Sequence, residues 1–129
     1  MNENKDYITS KEDAGSINIS EEVIAAIAAT AMLEVEGVAA MAGNIGSDIA
    51  GMLGKKSISK GIKIVNTEEG MKINASILVK FGCVVTDVAK KAQETAVSAI
   101  EDMTGLKVNS VNINVVGVIF DRDTKKDVK

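Results

Sequence analysis

The stretch TDVAKKAQETAVSAIEDMTGLKVNSVNINVVGVIF, from Thr86 to Phe120, decides the fold of this chain. Its first half places apolar residues at steps of three and four, which predicts an amphipathic helix capped by Thr86. Gly105 stands where a left-handed residue would end that helix. The remaining residues predict a long strand, and a change of apolar parity near Asn109–Ser110 indicates a bulge or a break. The pattern is therefore one helix, a glycine stop and one strand.

The apolar face of this helix is mostly alanine, so we expect the helix to approach a sheet closely. Its members are Val88, Ala89, Ala92, Ala96, Ala99, Ile100 and Met103. In the strand, Val116, Val118 and Phe120 continue the apolar pattern on a second face. We therefore expect that end of the strand to be covered on both sides.

The front half of the chain repeats this plan more loosely. Ser16–Ile19 alternates as a short strand does, Ser20 is a good N-cap, and Gly37 is placed to end the helix that follows. The predicted apolar stripe of this helix is Val23, Ile24, Ile27, Ala28, Ala31, Met32 and Val35. The next residues, Val38 to Met41, fit either a short strand or a turn.

Two further strands precede the second helix. Ile62 and Ile64 alternate with Lys63, Thr67–Gly70 fits a hairpin turn, and residues 71–81 alternate between one buried and one solvated face. The order β-α-β-β-α-β predicts an α+β fold. Its economical form is a two-layer sandwich, with two amphipathic helices on one face of a three- to four-stranded mixed or antiparallel sheet.

Length and composition fit one domain. The chain has 129 residues, of which 46% are hydrophobic and 2% aromatic, so the expected core is aliphatic. We assign residues 1–15 to a flexible N-terminal tail, 16–120 to the domain, and 121–129 to a charged C-terminal tail. No apolar run approaches the length that crosses a bilayer.

The residue types argue against catalysis. The chain has no histidine, which removes the commonest general base and zinc ligand. Its single cysteine, Cys83, cannot form an internal disulfide, which fits a reducing cytoplasm, and is interpreted as a small core residue. Carboxylates end both helices, Glu34 and Glu36 in one and Glu101 and Asp102 in the other, at opposite ends if the helices run antiparallel. We name no catalytic, cofactor or metal residue and predict no enzyme.

The segment from Gly43 to Lys56 is the best sequence candidate for a partner contact. It is rich in glycine and fits a mobile excursion or a short helix. Three apolar residues in it are flanked by lysines: the contact residues we predict are Ile49, Met52, Leu53, Lys55 and Lys56. Gly43–Gly46 has the GxxG form of a nucleic-acid-binding loop, but the element order and the shortage of aromatic side chains argue against that function.

Three blocks of the chain resemble the alkaline shock protein family of Gram-positive bacteria, the Gls-type envelope stress response proteins. The blocks are GSINISEEVIAAIAATAMLEVEGVAAM, Gly61–Ile64 with Val79–Gly82, and IEDMTGLKVNSVNINVVGVIF. The resemblance covers roughly residues 15–120 and departs from the family at Phe81, where tyrosine is common. It leaves the subgroup open.

The resemblance implies a non-enzymatic cytoplasmic interaction or scaffold protein linked to envelope homeostasis. Some members of the family self-assemble, and some are held at the membrane by a separate membrane-spanning partner. A further subgroup is associated with acetyl-CoA carboxylase, so a regulator of a metabolic enzyme is the alternative. The expected partners are thus further copies of the chain and a membrane-anchored protein, with no cofactor.

Overall fold

The computed structural model of the protein describes residues 7–42 and 61–120. Within these ranges the chain forms six strands and two helices. The strands are β1 (Tyr7–Glu12), β2 (Gly15–Ser20), β3 (Val38–Met41), β4 (Ile62–Thr67), β5 (Gly70–Lys80) and β6 (Val108–Ile119). The helices are α1 (Glu21–Leu33) and α2 (Val85–Thr104).

Strand β5 is the centre of the main sheet. On one side it pairs along nearly its whole length with β6, in parallel. On the other side it pairs antiparallel with β4 over Gly70–Ala75 and with β3 over Ile77–Val79. Strands β3 and β4 therefore lie end to end along the same side of β5, because Met41 pairs with Ile77 and Ile62 pairs with Ala75.

Both helices cover the same face of this sheet. The odd-numbered side chains of β5, from Met71 to Val79, are buried beneath them, whereas Lys72, Asn74 and Ser76 lie on the opposite, half-exposed face. Burial of one face is what the alternation of β5 predicts. The α+β fold class, with two helices on one face of a mixed sheet, is confirmed.

Two register shifts bend β6 along β5. The first skips Asn109 between the pairs Met71–Val108 and Lys72–Ser110, so the predicted irregularity is a bulge and not a break. The second skips Val116 between the pairs Ile77–Val115 and Leu78–Gly117. At this second shift the Leu78 side chain lies over Gly117, where a Cβ atom would stand 2.5 Å from Leu78 Cδ2.

The helix ends agree with the sequence at two of four positions. The Ser20 hydroxyl accepts the Glu22 amide at 3.0 Å at the start of α1, and Gly105 ends α2 with φ of 76°. The predicted stop at Gly37 is wrong: α1 ends at Leu33 with Glu34 as its C-cap, and Gly37, with φ of 103°, lies in the turn that follows. The predicted cap at Thr86 is wrong: the N-cap of α2 is Val84, two residues earlier, and it makes no side-chain cap bond.

A hairpin precedes the domain core. The sequence predicts no strand before residue 16, whereas β1 pairs antiparallel with β2 from Tyr7–Ser20 to Glu12–Gly15. Most β1 side chains are polar and exposed, but Ile8 is 5% exposed and belongs to the core. One buried residue in six gives a weak pattern, so the strand is not visible in the sequence.

Several residues predicted to face the core lie outside it. Val23 is 48% exposed and Met103 is 71% exposed, although their helical spacing matches buried neighbours. At the end of β6, Val116 is 58% exposed and Phe120 is 51% exposed. The expectation that this end is covered on both sides is therefore not met by the described residues.

Replacing Gly37 by alanine tests the close contact between the turn after α1 and helix α2. A Cβ atom at Gly37 would lie 2.5 Å from Val88 Cγ2, and its φ of 103° is unfavourable for alanine. We expect Gly37→Ala to lower the free energy of unfolding by about 2–4 kcal/mol, from backbone strain and overpacking together. Urea denaturation measures the change.

Gly82→Ala is the matched control, since Gly82 has φ of 102° and open space around its Cβ position. We expect Gly82→Ala to lower the free energy of unfolding by about 1–2 kcal/mol, from backbone strain alone. An equal decrease in the free energy of unfolding of the two variants would show that the contact with Val88 does not contribute to the effect at Gly37.

Candidate interaction surfaces

The outer edge of β6 is the first candidate surface. Within residues 7–42 and 61–120, β6 pairs with β5 and with no other strand, so its second edge is open. From Val108 to Phe120 the sequence holds neither a charged residue nor a proline. Soluble proteins commonly protect an open edge with such residues. An uncharged edge of this length is therefore suited to pairing.

Side chains of α2 cover only the first half of this strand. Gln93 Nε2 donates to the Val111 carbonyl at 2.8 Å, and the Val108 amide donates to Glu101 Oε2 at 3.1 Å. Among the bonds between described residues, none joins a side chain to the backbone of 115–120. The second half of β6 is thus the part that remains available for strand addition.

Exposed apolar side chains gather where β6 ends. The rings of Phe81 and Phe120 stack with centroids 4.7 Å apart, and the Phe81 amide donates to the Ile119 carbonyl at 2.8 Å. We define the apolar tip as these residues and their exposed neighbours: Phe81, Val84, Val85, Val116, Val118, Ile119 and Phe120. Concentrated apolar exposure of this kind marks an interaction site.

The second candidate surface is a groove between the outer sides of the helices. It has a volume of about 370 Å³. Its lining is mostly small and apolar: Ala26, Ile27, Thr30, Ala31, Glu34, Ala99 and Met103. Small residues let another backbone come close, and Met103 adapts its shape readily.

A cleft of about 550 Å³ lies at the other end of the helix pair. It joins the turn after α1 to the first turns of α2, and it includes Glu36, Cys83 and Asp87. Cys83 is half-buried and packs against the core, so the interpretation as a core residue describes only part of its surroundings. The charged lining is mixed, with Lys90 and Lys91 beside the acids.

The helices run antiparallel, which separates the two acidic ends. Helix α1 leads into β3, which pairs with the end of β5 at Val79, and α2 begins directly after β5. Glu36 therefore lies by the start of α2, whereas Glu101 lies at its end, bonded to Val108. The two acid pairs do not form one dicarboxylate site. In the described ranges, no group of three or more His, Cys, Asp and Glu residues is placed to hold a metal.

The open face of the sheet is polar. Asn112 Nδ2 donates to Asn74 Oδ1 at 2.9 Å across β5 and β6, and Asn114 Nδ2 donates to the Ala75 carbonyl at 3.4 Å. These amides bond to one another and to the backbone. This face therefore resembles a solvated surface more than a binding site.

The contact residues predicted from the sequence lie outside the described residues. They are Ile49, Met52, Leu53, Lys55 and Lys56. The GxxG loop at 43–46 lies outside them as well, so both remain predictions. Sequence reasoning missed the groove because it assigned Ile27 and Met103 to the buried stripes of their respective helices.

Comparison with known proteins identifies relatives over most of the chain. A family model, the alkaline shock protein 23 family with a cell envelope-related function, matches residues 9–120. The Bacillus subtilis protein YqhY is 37% identical over 107 residues, covering 83% of this chain and 79% of its own. Streptococcus pyogenes Spy1535 is 33% identical, covering 92% and 90%. Bacillus subtilis YloU is 34% identical, covering 81% and 88%.

No solved structure matches the chain. In the part of the chain that the structure describes, no helix is both long and apolar enough to span a membrane.

A double-mutant cycle at Phe81 and Phe120 tests whether the exposed stack is a real contact. Each alanine substitution should cost little alone, because both rings are largely exposed. We expect a coupling energy of about 0.5–1.5 kcal/mol between them, as for other stacked aromatic pairs. Chemical denaturation of both single variants and the double variant gives this value. A coupling energy of zero would show that the rings do not stack in solution.

Proposed function

The chain belongs to the alkaline shock protein 23 family of cell envelope-related proteins, and from this premise we propose that it is a self-associating interaction module. In this proposal it is not an enzyme. It acts in the cytoplasm in envelope stress homeostasis, and a membrane-anchored protein recruits it to the membrane. The observation that carries the proposal is the open, uncharged outer edge of β6.

Strand addition at this edge supplies both backbone bonds and apolar burial. Two copies related by a twofold axis would pair their β6 strands antiparallel, which continues the sheet from one copy into the next. Val116 and Val118 would then lie within the contact. The other residues of the apolar tip would be shielded from water at the border of the contact. The half of β6 beyond Asn114 is the part that fits this role, since α2 side chains bond the backbone of the first half.

The other edge of the sheet is less suited to such a contact. It is formed by β3 and β4, which are short, and β4 carries the exposed Lys63. A charged side chain on an edge strand opposes the approach of a second sheet. Pairing through β6 alone would therefore give a closed dimer. Use of both sheet edges would instead let copies add without limit.

Size-exclusion chromatography with light scattering over a concentration series tests the proposal. We expect the wild-type mass to rise above 13.5 kDa as concentration increases. The double variant Val116→Lys/Val118→Lys places two charges on the edge and should weaken association by about tenfold or more, because like charges would face each other across the twofold. Circular dichroism checks that the variant remains folded.

The control variant is Ile17→Lys/Val65→Lys, which adds the same two charges at exposed strand positions. Ile17 and Val65 are 52% and 42% exposed, close to 58% and 42% for Val116 and Val118. The control should associate like the wild type. A wild-type protein that stays monomeric at every concentration would contradict the proposal and favour a regulator that binds a single metabolic enzyme.

A further inference from the structure

Helix α1 is apolar on its outer side as well as its inner side. From Val23 to Leu33 the helix contains no charged residue, and Thr30 is its one polar side chain in that span. Ile24, Ala28 and Met32 face the core, while Val23 and Leu33 are 48% and 39% exposed. A helix that is apolar all round is normally buried. Its outer side is therefore suited to being covered by a further element.

The groove beside α1 has the dimensions of a site for another helix. Its lining on α1 runs from Ala26 to Glu34, which spans roughly 12 Å at the helical rise, about two turns. Ala26 and Thr30 are one turn apart on it, and Ala99 faces them from α2. Such small side chains let a helix lie close to both walls.

The rim of the groove is acidic. Glu34 lines the groove. The exposed Glu22 precedes the lining residue Ala26 by one helical turn, and the exposed Asp102 directly precedes the lining residue Met103. Neither the span 21–36 nor the span 95–106 contains lysine or arginine. Carboxylates at the rim favour a partner with positive charges next to its apolar stripe.

We propose that the groove between α1 and α2 binds an amphipathic helix of another protein, with an apolar stripe of about two turns flanked by lysine or arginine. A second copy of this chain fits less well. Two α1 helices packed antiparallel would bring Glu22 of one copy toward Glu34 of the other, and like charges there repel. The proposal is independent of pairing through β6, which lies at a different part of the surface.

A labelled model peptide tests this site. The probe is a helix-forming peptide of ~18 residues with a leucine and alanine stripe and lysines at both ends, an adequate length for the groove. A control peptide has the same sequence with glutamates in place of the lysines. Fluorescence anisotropy is measured with the Val116→Lys/Val118→Lys protein, so that association through β6 does not contribute.

Two charge-matched variants locate the contact. Thr30→Lys adds a positive charge inside the groove, and Ser98→Lys adds the same charge on the exposed polar side of α2. We expect Thr30→Lys to weaken binding of the lysine-flanked peptide by about tenfold or more, through loss of apolar contact and repulsion. Ser98→Lys should change the dissociation constant by less than about twofold, and the glutamate-flanked peptide should bind at least about tenfold more weakly.

Three results would overturn the proposal. They are absence of binding of the lysine-flanked peptide up to about 1 mM, the weakest affinity of interest, equal binding of the two peptides, and equal effects of the two variants. If Thr30→Lys instead abolishes the concentration-dependent mass of the wild-type protein, the occupant is a second copy and the proposal is wrong.

Discussion

The parallel pairing of β5 with β6 is the constraint on which the rest of the structure depends. A parallel pair requires a crossover connection, and α2 supplies it by lying across one face of the sheet. Helix α1 then packs beside α2 on the same face, where the alternation of β5 provides an apolar surface. Among the described residues, β6 pairs with β5 alone. The crossover therefore places β6 at the border of the sheet with its outer edge open.

The sequence predicts the parts of this arrangement that follow from strong local patterns. A few adjacent residues determine each of three features: the alternation of β5, the end of α2 at Gly105 and the bulge at Asn109. Other features depend on contacts between distant residues. The helical spacing of Ile27 and Met103 matches a core face, but only the packing of α1 against α2 decides that both line the groove. Likewise, β1 has little apolar pattern of its own and is held by pairing with β2.

The candidate surfaces could be predicted only in part. The strand at 108–120 and its apolar end are evident from the sequence, whereas its position at the edge of the sheet requires the topology. The two surfaces serve different kinds of contact. An open strand edge suits pairing between like chains, and an acidic-rimmed groove between helices suits a basic helix. Together they would let one module assemble and hold a partner at the same time, which fits a protein related to the cell envelope.

Hydrogen–deuterium exchange at several protein concentrations tests most directly whether the outer edge of β6 carries self-association. We expect amides in the peptide covering 113–120 to exchange more slowly as concentration rises, because strand addition gives them new partners. Peptides from β4 and the outer side of α1 should exchange at a constant rate. Exchange in 113–120 that does not depend on concentration while the mass of the protein increases would contradict the account and place the contact elsewhere.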